Sequence, residues 1–266
     1  MQKPDYKNWV PKSMVIGLGA ATAASASLSV LFGATESILK GKPRQIAAVT
    51  FGAATPVLLF YTLWMGALHS AFDYNGRRKL AKTIIDGTAE YLTLPDGGTG
   101  LDVGCGSGAL TIACAKRNPR AQMVGCDIWS GAYKEVFTKK RCEENAAADG
   151  VSNVRFEEGN AVHLPFADES FDAVTSNYVY HNIAGQNKQA LLLETLRVLK
   201  KGGTFAIHDL MSKARYGDMD AFVQKLKADE GYEDVRLIDT TDGRFMGRKE
   251  AAFLGLGGST LLVGKK

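Results

Sequence analysis

Two long stretches without formal charge constrain this chain more than any other feature. From Ser13 to Thr35 there is no Asp, Glu, Lys or Arg, and the same holds from Gln45 to Phe72, where His69 is the one histidine. A helix rises about 1.5 Å per residue, so each stretch is long enough to cross roughly 30 Å of hydrocarbon. The whole-chain composition, 45% apolar and 23% charged, is that of an ordinary globular protein and hides them. A chain of 266 residues has room for such an appendage beside one sizeable α/β domain.

The first stretch is rich in small residues. Gly17, Ala21, Ser25, Ser29 and Gly33 recur at every fourth position, which puts them on one helix face and allows a second helix to approach closely, within the chain or in self-association. The second stretch is more apolar, through Val57, Leu58, Leu59, Phe60, Leu63 and Trp64, with Pro56 as a point for a kink. The expected arrangement is an antiparallel pair of transmembrane helices, at about 13–35 and 45–72, making residues 1–72 a membrane anchor. Lys3, Lys7 and Lys12 before it and Arg77, Arg78 and Lys79 after it place both ends in the cytoplasm by the positive-inside rule, although Lys40, Lys42 and Arg44 in the turn pull the other way. Two competing readings are a cleaved signal peptide, with Ala-Ser-Ala at residues 24 to 26, and a soluble helical cap over the active site.

From about residue 80 the pattern changes to alternating helix and strand signals. Helices are expected at Leu80 to Leu92, from Gly108 through Ala115, at Ser130 to Ala148, Lys188 to Leu199 and Tyr216 to Glu230. Strands are expected at Thr99 to Val103, Ala121 to Cys126, Val154 to Phe156, Phe171 to Ser176, Thr204 to His208, Asp234 to Asp239 and Ser259 to Val263, the last antiparallel to its neighbour. This order describes an α/β domain over residues 73–266, a Rossmann-like seven-stranded sheet flanked by helices. Thr240 to Gly258 is read as a connection. Cys105, Cys114, Cys126 and Cys142 form no CxxC pair and are expected to be reduced structural thiols, with no metal site. A net charge of +4, carried on scattered basic residues, gives no reason to expect a nucleic-acid partner.

The chemistry concentrates at Leu101-Asp102-Val103-Gly104-Cys105-Gly106-Ser107-Gly108. Three glycines at alternate positions permit a tight strand-to-helix turn and let a ligand approach the backbone. Asp127, near the end of the next strand, is placed to accept hydrogen bonds from ribose hydroxyls. A nicotinamide dinucleotide shares this geometry, but the spacing is GxGxG rather than GxGxxG, and Asp102 would lie beside a polyphosphate. A carboxylate there suits a ligand that carries an ammonium group.

With LDVGCGSG at 101 to 108, VGCDIW at 124 to 129, GNAVHLPFADESFDAV at 159 to 174 and LRVLKKGGTFAI at 196 to 207, the chain resembles the class I S-adenosylmethionine-dependent methyltransferases, and more closely the branch with quinone and sterol methyltransferases. The resemblance implies S-adenosylmethionine as cofactor and S-adenosylhomocysteine as product. It assigns Asp102, Gly104, Gly106 and Gly108 to the methionine and ribose region, Asp127 to the ribose, and Ile128 or Trp129 to the side of the adenine. Asn160 and Ala161 take the place where the family carries an aspartate for the adenine amino group, and an amide oxygen retains that acceptor.

The segment Ser176 to Ile183 follows the fourth strand, at the sheet edge where such folds bind ligands. Asn177, Tyr178 and His181 are the expected pocket residues, with His181 a candidate base. Asp209 is a candidate to orient a substrate cation or a histidine, while strand alternation directs the adjacent His208 elsewhere. The expected reaction is methyl transfer to a small lipophilic or membrane-associated acceptor, a ring compound first, with a phospholipid amine or membrane protein as alternatives. A non-catalytic cofactor-binding membrane protein is the reading from another class. The catalytic domain is expected at the cytoplasmic face of the cell membrane, where the cofactor is available.

Overall fold

A computed structural model describes residues 3–130, 136–229 and 231–266. The chain divides into two compact units, Asn8–Ala81 and Met1–Lys7 together with Lys82–Lys266.

The first unit is a helical hairpin of α1 (Lys12–Ala34) and α2 (Gly41–Phe72). Its polarity is inverted relative to a water-soluble helix pair. Small polar groups face inward: Ser25 Oγ donates to the Phe51 carbonyl at 3.0 Å, Ser29 Oγ to the Ala48 carbonyl at 3.0 Å, and Thr22 and Thr62 pair through their hydroxyls at 2.9 Å. Large apolar side chains face outward, with Val30 69%, Val49 70% and Leu63 65% exposed. The small-residue face expected from the fourfold spacing therefore meets α2 at Ser25 and Ser29, and the Gly33 carbonyl accepts from Arg44 Nη1 in the first turn of α2. Both helices are long and apolar enough to cross a bilayer, judged by length and composition.

In the second unit, α3 (Leu80–Ala89) leads to β1 (Thr99–Val103), α4 (Ala109–Arg117), β2 (Gln122–Asp127), α5 (Lys139–Ala148), β3 (Val154–Glu158) and β4 (Phe171–Asn177). Then come α6 (Lys188–Arg197), β5 (Leu199–Leu210), α7 (Lys213–Tyr216), α8 (Met219–Asp229), β6 (Glu233–Asp239), α9 (Arg248–Phe253) and β7 (Ser259–Lys265). The strands form one sheet in the order β3-β2-β1-β4-β5-β7-β6. Neighbours pair in parallel from β3 to β5, and β7 is antiparallel to both β5 and β6. This is the expected seven-stranded Rossmann-like sheet flanked by helices.

Strand order runs outward from β1 in one direction and from β4 in the other. The carboxyl ends of these two strands therefore flank the crevice where an open α/β sheet takes its ligand. Leu101, Val103, Val174, Phe205 and Ile207 are buried in the strands beneath it, each contributing about 1.5–3 kcal/mol of apolar burial.

Several boundaries differ from the sequence reading; β5, for one, begins at Leu199 rather than Thr204, and α3 ends at Ala89 rather than Leu92. The helix expected from Ser130 begins at Lys139, where the Thr138 side chain caps Arg141 N at 3.1 Å; residues 131–135 of that expectation lie outside the described residues. The helix expected from Tyr216 begins at Met219 as α8: Tyr216 closes the short α7, Gly217 with its φ of 74° cannot continue a right-handed helix, and Asp218 Oδ1 accepts from Ala221 N to open α8. The last residue of that expected helix, Glu230, lies outside the described residues. The 240–258 connection carries a short helix, α9.

Candidate active site

The glycine loop is built from backbone geometry. Gly104, Gly106 and Gly108 all have φ in the left-handed region, at 73°, 56° and 82°. Gly104 is restricted twice, because a Cβ there would also lie 2.4 Å from Val179 Cγ2. The Cys126 carbonyl accepts from Gly104 N at 2.8 Å and Cys105 N at 3.0 Å, tying the loop to the end of β2. Asp127 completes the tie: Oδ2 accepts from Gly106 N and Oδ1 from Trp129 N, both at 2.9 Å. The Trp129 indole then folds back, donating from Nε1 to the Gly106 carbonyl at 3.0 Å.

Trp129 has φ 38° and Tyr178 has φ 54°, a backbone region that costs a bulky residue about 1–3 kcal/mol. These strained aromatics stand just past the ends of β2 and β4, on the crevice side of the sheet. Ile128 is 47% exposed and Val162, just past β3, is 38% exposed. With Phe253 they are the exposed large apolar side chains found in the second unit among the described residues. Asn160 Oδ1 accepts from Val162 N at 2.9 Å, and Ala161 is buried beside it.

Asp102 lies under the loop on β1, buried, with Oδ2 accepting from Thr111 Oγ1 at 2.6 Å. Burial pushes its carboxyl up to about 7; the Thr111 bonds oppose that shift and the nearby Asp127 charge adds to it.

At the β4 exit, a 3-10 turn over Tyr180–Asn182 turns His181 toward β5. His181 Nδ1 lies 2.5 Å from Asp209 Oδ1. Asp209 is buried and also accepts from His181 N at 3.2 Å, Leu210 N at 2.6 Å and the Tyr216 hydroxyl at 2.8 Å. Burial alone would raise its carboxyl, but the His181 hydrogen bond and charge, with the bonds from Leu210 and Tyr216, hold it below the usual carboxylate range. An ionised Asp209 on Nδ1 directs the proton of a neutral His181 ring to that nitrogen and leaves Nε2 with the basic lone pair. The His181 side chain is 19% exposed against 0% for Asp209, so the imidazole is the member of the pair that solvent reaches.

The adjacent His208 faces the other way. It is fully buried, with Nδ1 2.8 Å from Asn177 Oδ1 and Nε2 3.0 Å from Thr240 Oγ1. Burial lowers its pKa to about 3, against the pull of the Asp209 charge, so it is a neutral packing element. Asn177 is thereby engaged with His208. The Tyr178 hydroxyl pairs with Ser259 Oγ, and its ring meets His181 edge-on at 5.9 Å and lies 4.7 Å from His208. Burial raises the Tyr178 phenol, with the Ser259 bond opposing. Tyr180 is buried with its hydroxyl on Thr195 at 2.6 Å.

The structure thus brings together the glycine loop, Asp127, Trp129 and Ile128 on one side of the crevice, and His181 with Asp209 at the other strand exit. Tyr216 and Val162 were not singled out in the sequence. Val162 follows Asn160-Ala161 as an apolar residue in a polar turn, a signal that was available; nothing local marks Tyr216, whose partner Asp209 lies on a preceding strand.

Comparison with known proteins bears on the fold and the family likeness. Residues 101–207 match the family model described as a methyltransferase domain. The chain is 36% identical over 129 residues to an arsenite methyltransferase of Halobacterium salinarum, covering 48% of this chain and 31% of that relative. It is 29% identical over 196 residues to a demethylmenaquinone methyltransferase of Geobacillus stearothermophilus, covering 70% and 78%. The chain spans less than half the length of the first curated relatives it matches. The solved structure of the [4+2]-cyclase SpnF has the same fold, with a TM-score of 0.53 at 20% identity, covering 73% of this chain and 85% of that one. The Rossmann-like fold is therefore shared with an enzyme whose name gives a different chemistry, and the fold alone does not fix the reaction.

Proposed function

We propose that this chain transfers a methyl group from S-adenosylmethionine to a lipophilic acceptor whose reacting oxygen or carbon must lose a proton. The observation that carries this reading is His181, held through Nδ1 by buried Asp209 at the same crevice as the glycine loop and Asp127. The residues at the loop fit the cofactor. Asp127 keeps further carboxylate lone pairs for the ribose hydroxyls beyond the two spent on backbone N–H groups. Exposed Ile128 and Val162 offer apolar contact to a flat base, and the Asn160 oxygen has a second lone pair for an exocyclic amine. Asp102, a buried carboxyl, favours a ligand that brings positive charge beside it. When bound, S-adenosylmethionine supplies an electrophilic methyl carbon on a sulfonium and leaves as S-adenosylhomocysteine.

The chain's own part is positioning and proton removal. His181 Nε2 accepts the acceptor's proton, and Asp209 holds the resulting imidazolium in place. Tyr178 packs edge-on against the His181 ring and limits its rotation. An ionisable ring compound such as a quinol uses a base of this kind fully, and relatives that bear the name demethylmenaquinone methyltransferase support that class. The outward apolar surface of α1 and α2 supports a bilayer as the surrounding medium, and the basic Arg77, Arg78 and Lys79 that follow are the ground for reading the domain on the cytoplasmic side.

The test is to incubate detergent-solubilised protein with methyl-labelled S-adenosylmethionine and a native membrane extract, then identify the labelled product by mass. Label in a solvent-extractable ring compound is expected, and it should fall with Asp127→Ala at limiting cofactor. Label in polypeptide or in a phospholipid headgroup would replace the acceptor class, and no label with any extract would remove the transferase reading.

A further inference from the structure

The strongest feature outside the site is the docking of the extreme amino terminus. Residues 3–7 precede the helical hairpin in sequence, yet they pack on the methyltransferase domain. Their bonds converge on the glycine loop. Ser107 Oγ, between Gly106 and Gly108, donates to the Tyr6 carbonyl at 2.8 Å. Asn145 on α5 bridges both partners: its Oδ1 accepts from Asp5 N at 2.7 Å, and its Nδ2 donates to the Asp5 carbonyl at 3.2 Å and to the Ser107 carbonyl at 3.0 Å. That spends the amide's single oxygen and both of its N–H groups. Tyr6, Ser107 and Asn145 are all buried. Around this node, Arg141 Nη1 donates to Asp5 Oδ2 at 3.1 Å and the Tyr6 hydroxyl donates to Asp149.

A serine flanked by two left-handed glycines has many alternative backbone conformations, and a binding loop that has to be ordered by its ligand loses affinity accordingly. Asp127 fixes this loop from the β2 side through Gly106 N. The amino-terminal strap fixes the next residue from the opposite flank. We propose that residues 3–7, acting through Asn145 and Ser107, are positioning residues that pre-form the Gly104–Gly108 loop for its cofactor. This rests on the loop being the S-adenosylmethionine site.

The test uses the full chain in detergent micelles, comparing wild type with a deletion of residues 2–6, Asn145→Ala and Ser107→Ala. Affinity for S-adenosylhomocysteine is measured by calorimetry, and hydrogen exchange over residues 104–110 is measured without ligand. The deletion and Asn145→Ala should weaken binding about tenfold or more and speed loop exchange, Ser107→Ala about threefold to fivefold. Ser107→Ala removes one hydrogen bond and keeps the test valid if a larger change prevents folding. Unchanged affinity and exchange, with only a lower unfolding midpoint, would overturn the proposal and leave the strap as packing. Faster loop exchange in variants of a wild-type chain that binds no S-adenosylhomocysteine would sustain the strap's hold on the loop and sink the cofactor reading instead.

Discussion

The two faces of β5 near its carboxyl end handle histidine differently. On one face Asp209 holds His181 by Nδ1, and the ring retains solvent access. On the other, one residue earlier in the strand, His208 is sealed between Asn177 and Thr240 and kept neutral. Both rings lie against Tyr178, so proximity to the crevice does not separate them. What separates them is the second partner of each ring: a buried carboxylate with four donors on one face, neutral hydrogen-bonding groups on the other. A histidine becomes a usable base when its far nitrogen is left unspent, and only His181 meets that condition here.

The largest effect expected from this contrast is on turnover. His181→Ala should lower kcat by about two to three orders of magnitude while cofactor affinity stays within about twofold, measured by steady-state kinetics beside calorimetry. Asp209→Asn, which favours the wrong tautomer, should reproduce much of that loss. Equal turnover in His181→Ala would erase the distinction between the faces.

The next effect is on stability against pH, where two buried groups act in opposite senses. The folded Asp102 carboxyl, near 7, lies above its unfolded value of 3.8, so the stability it contributes is full below about 4 and is lost as pH rises toward 7. Folded His208, near 3, lies below its unfolded value of 6.5, so its contribution is full above that value and is lost as pH falls toward 3. Between about pH 4.5 and 6.5 the two slopes oppose each other. Asp102→Asn should then gain about 2–3 kcal/mol of stability across that window as pH rises, and His208→Gln should lose a similar amount. Thermal unfolding in detergent at stepped pH reads this directly, and parallel profiles for the two variants would count against the burial argument.

The smallest effect belongs to the group shared by both faces. Tyr178→Phe removes the hydroxyl bonded to Ser259 but keeps the ring against both imidazoles. It should cost about 1 kcal/mol of stability and change kcat by less than about threefold. A hundredfold fall in kcat would instead make the phenol a participant.

Much of the sheet and the cofactor loop was legible because the signals are local. Glycines at 104, 106 and 108 encode backbone angles that few other residues adopt, and Asp127 follows directly from the end of the next strand. His181 and Asp209 were both singled out, but their contact was not readable, since it depends on the β4–β5 register that sets Asn177 opposite His208. The charge of Asp102 suggested an ammonium partner; its burial and its bond to Thr111 emerge only when α4 packs over β1. The start of α8 was misplaced by three residues because Tyr216, an apolar side chain ahead of Gly217, belongs to the short α7. The strap was hidden most completely, because Asp5 and Asn145 lie 140 residues apart with two apolar helices between them.

Trp129 gives the molecule a spectroscopic handle. Of the three tryptophans, Trp9 and Trp64 belong to the helical hairpin, while the indole of Trp129 is bonded to a carbonyl of the glycine loop. In a Trp9→Phe, Trp64→Phe background the remaining emission comes from a single fluorophore attached to the loop itself. Its wavelength and lifetime would follow the loop without any added dye.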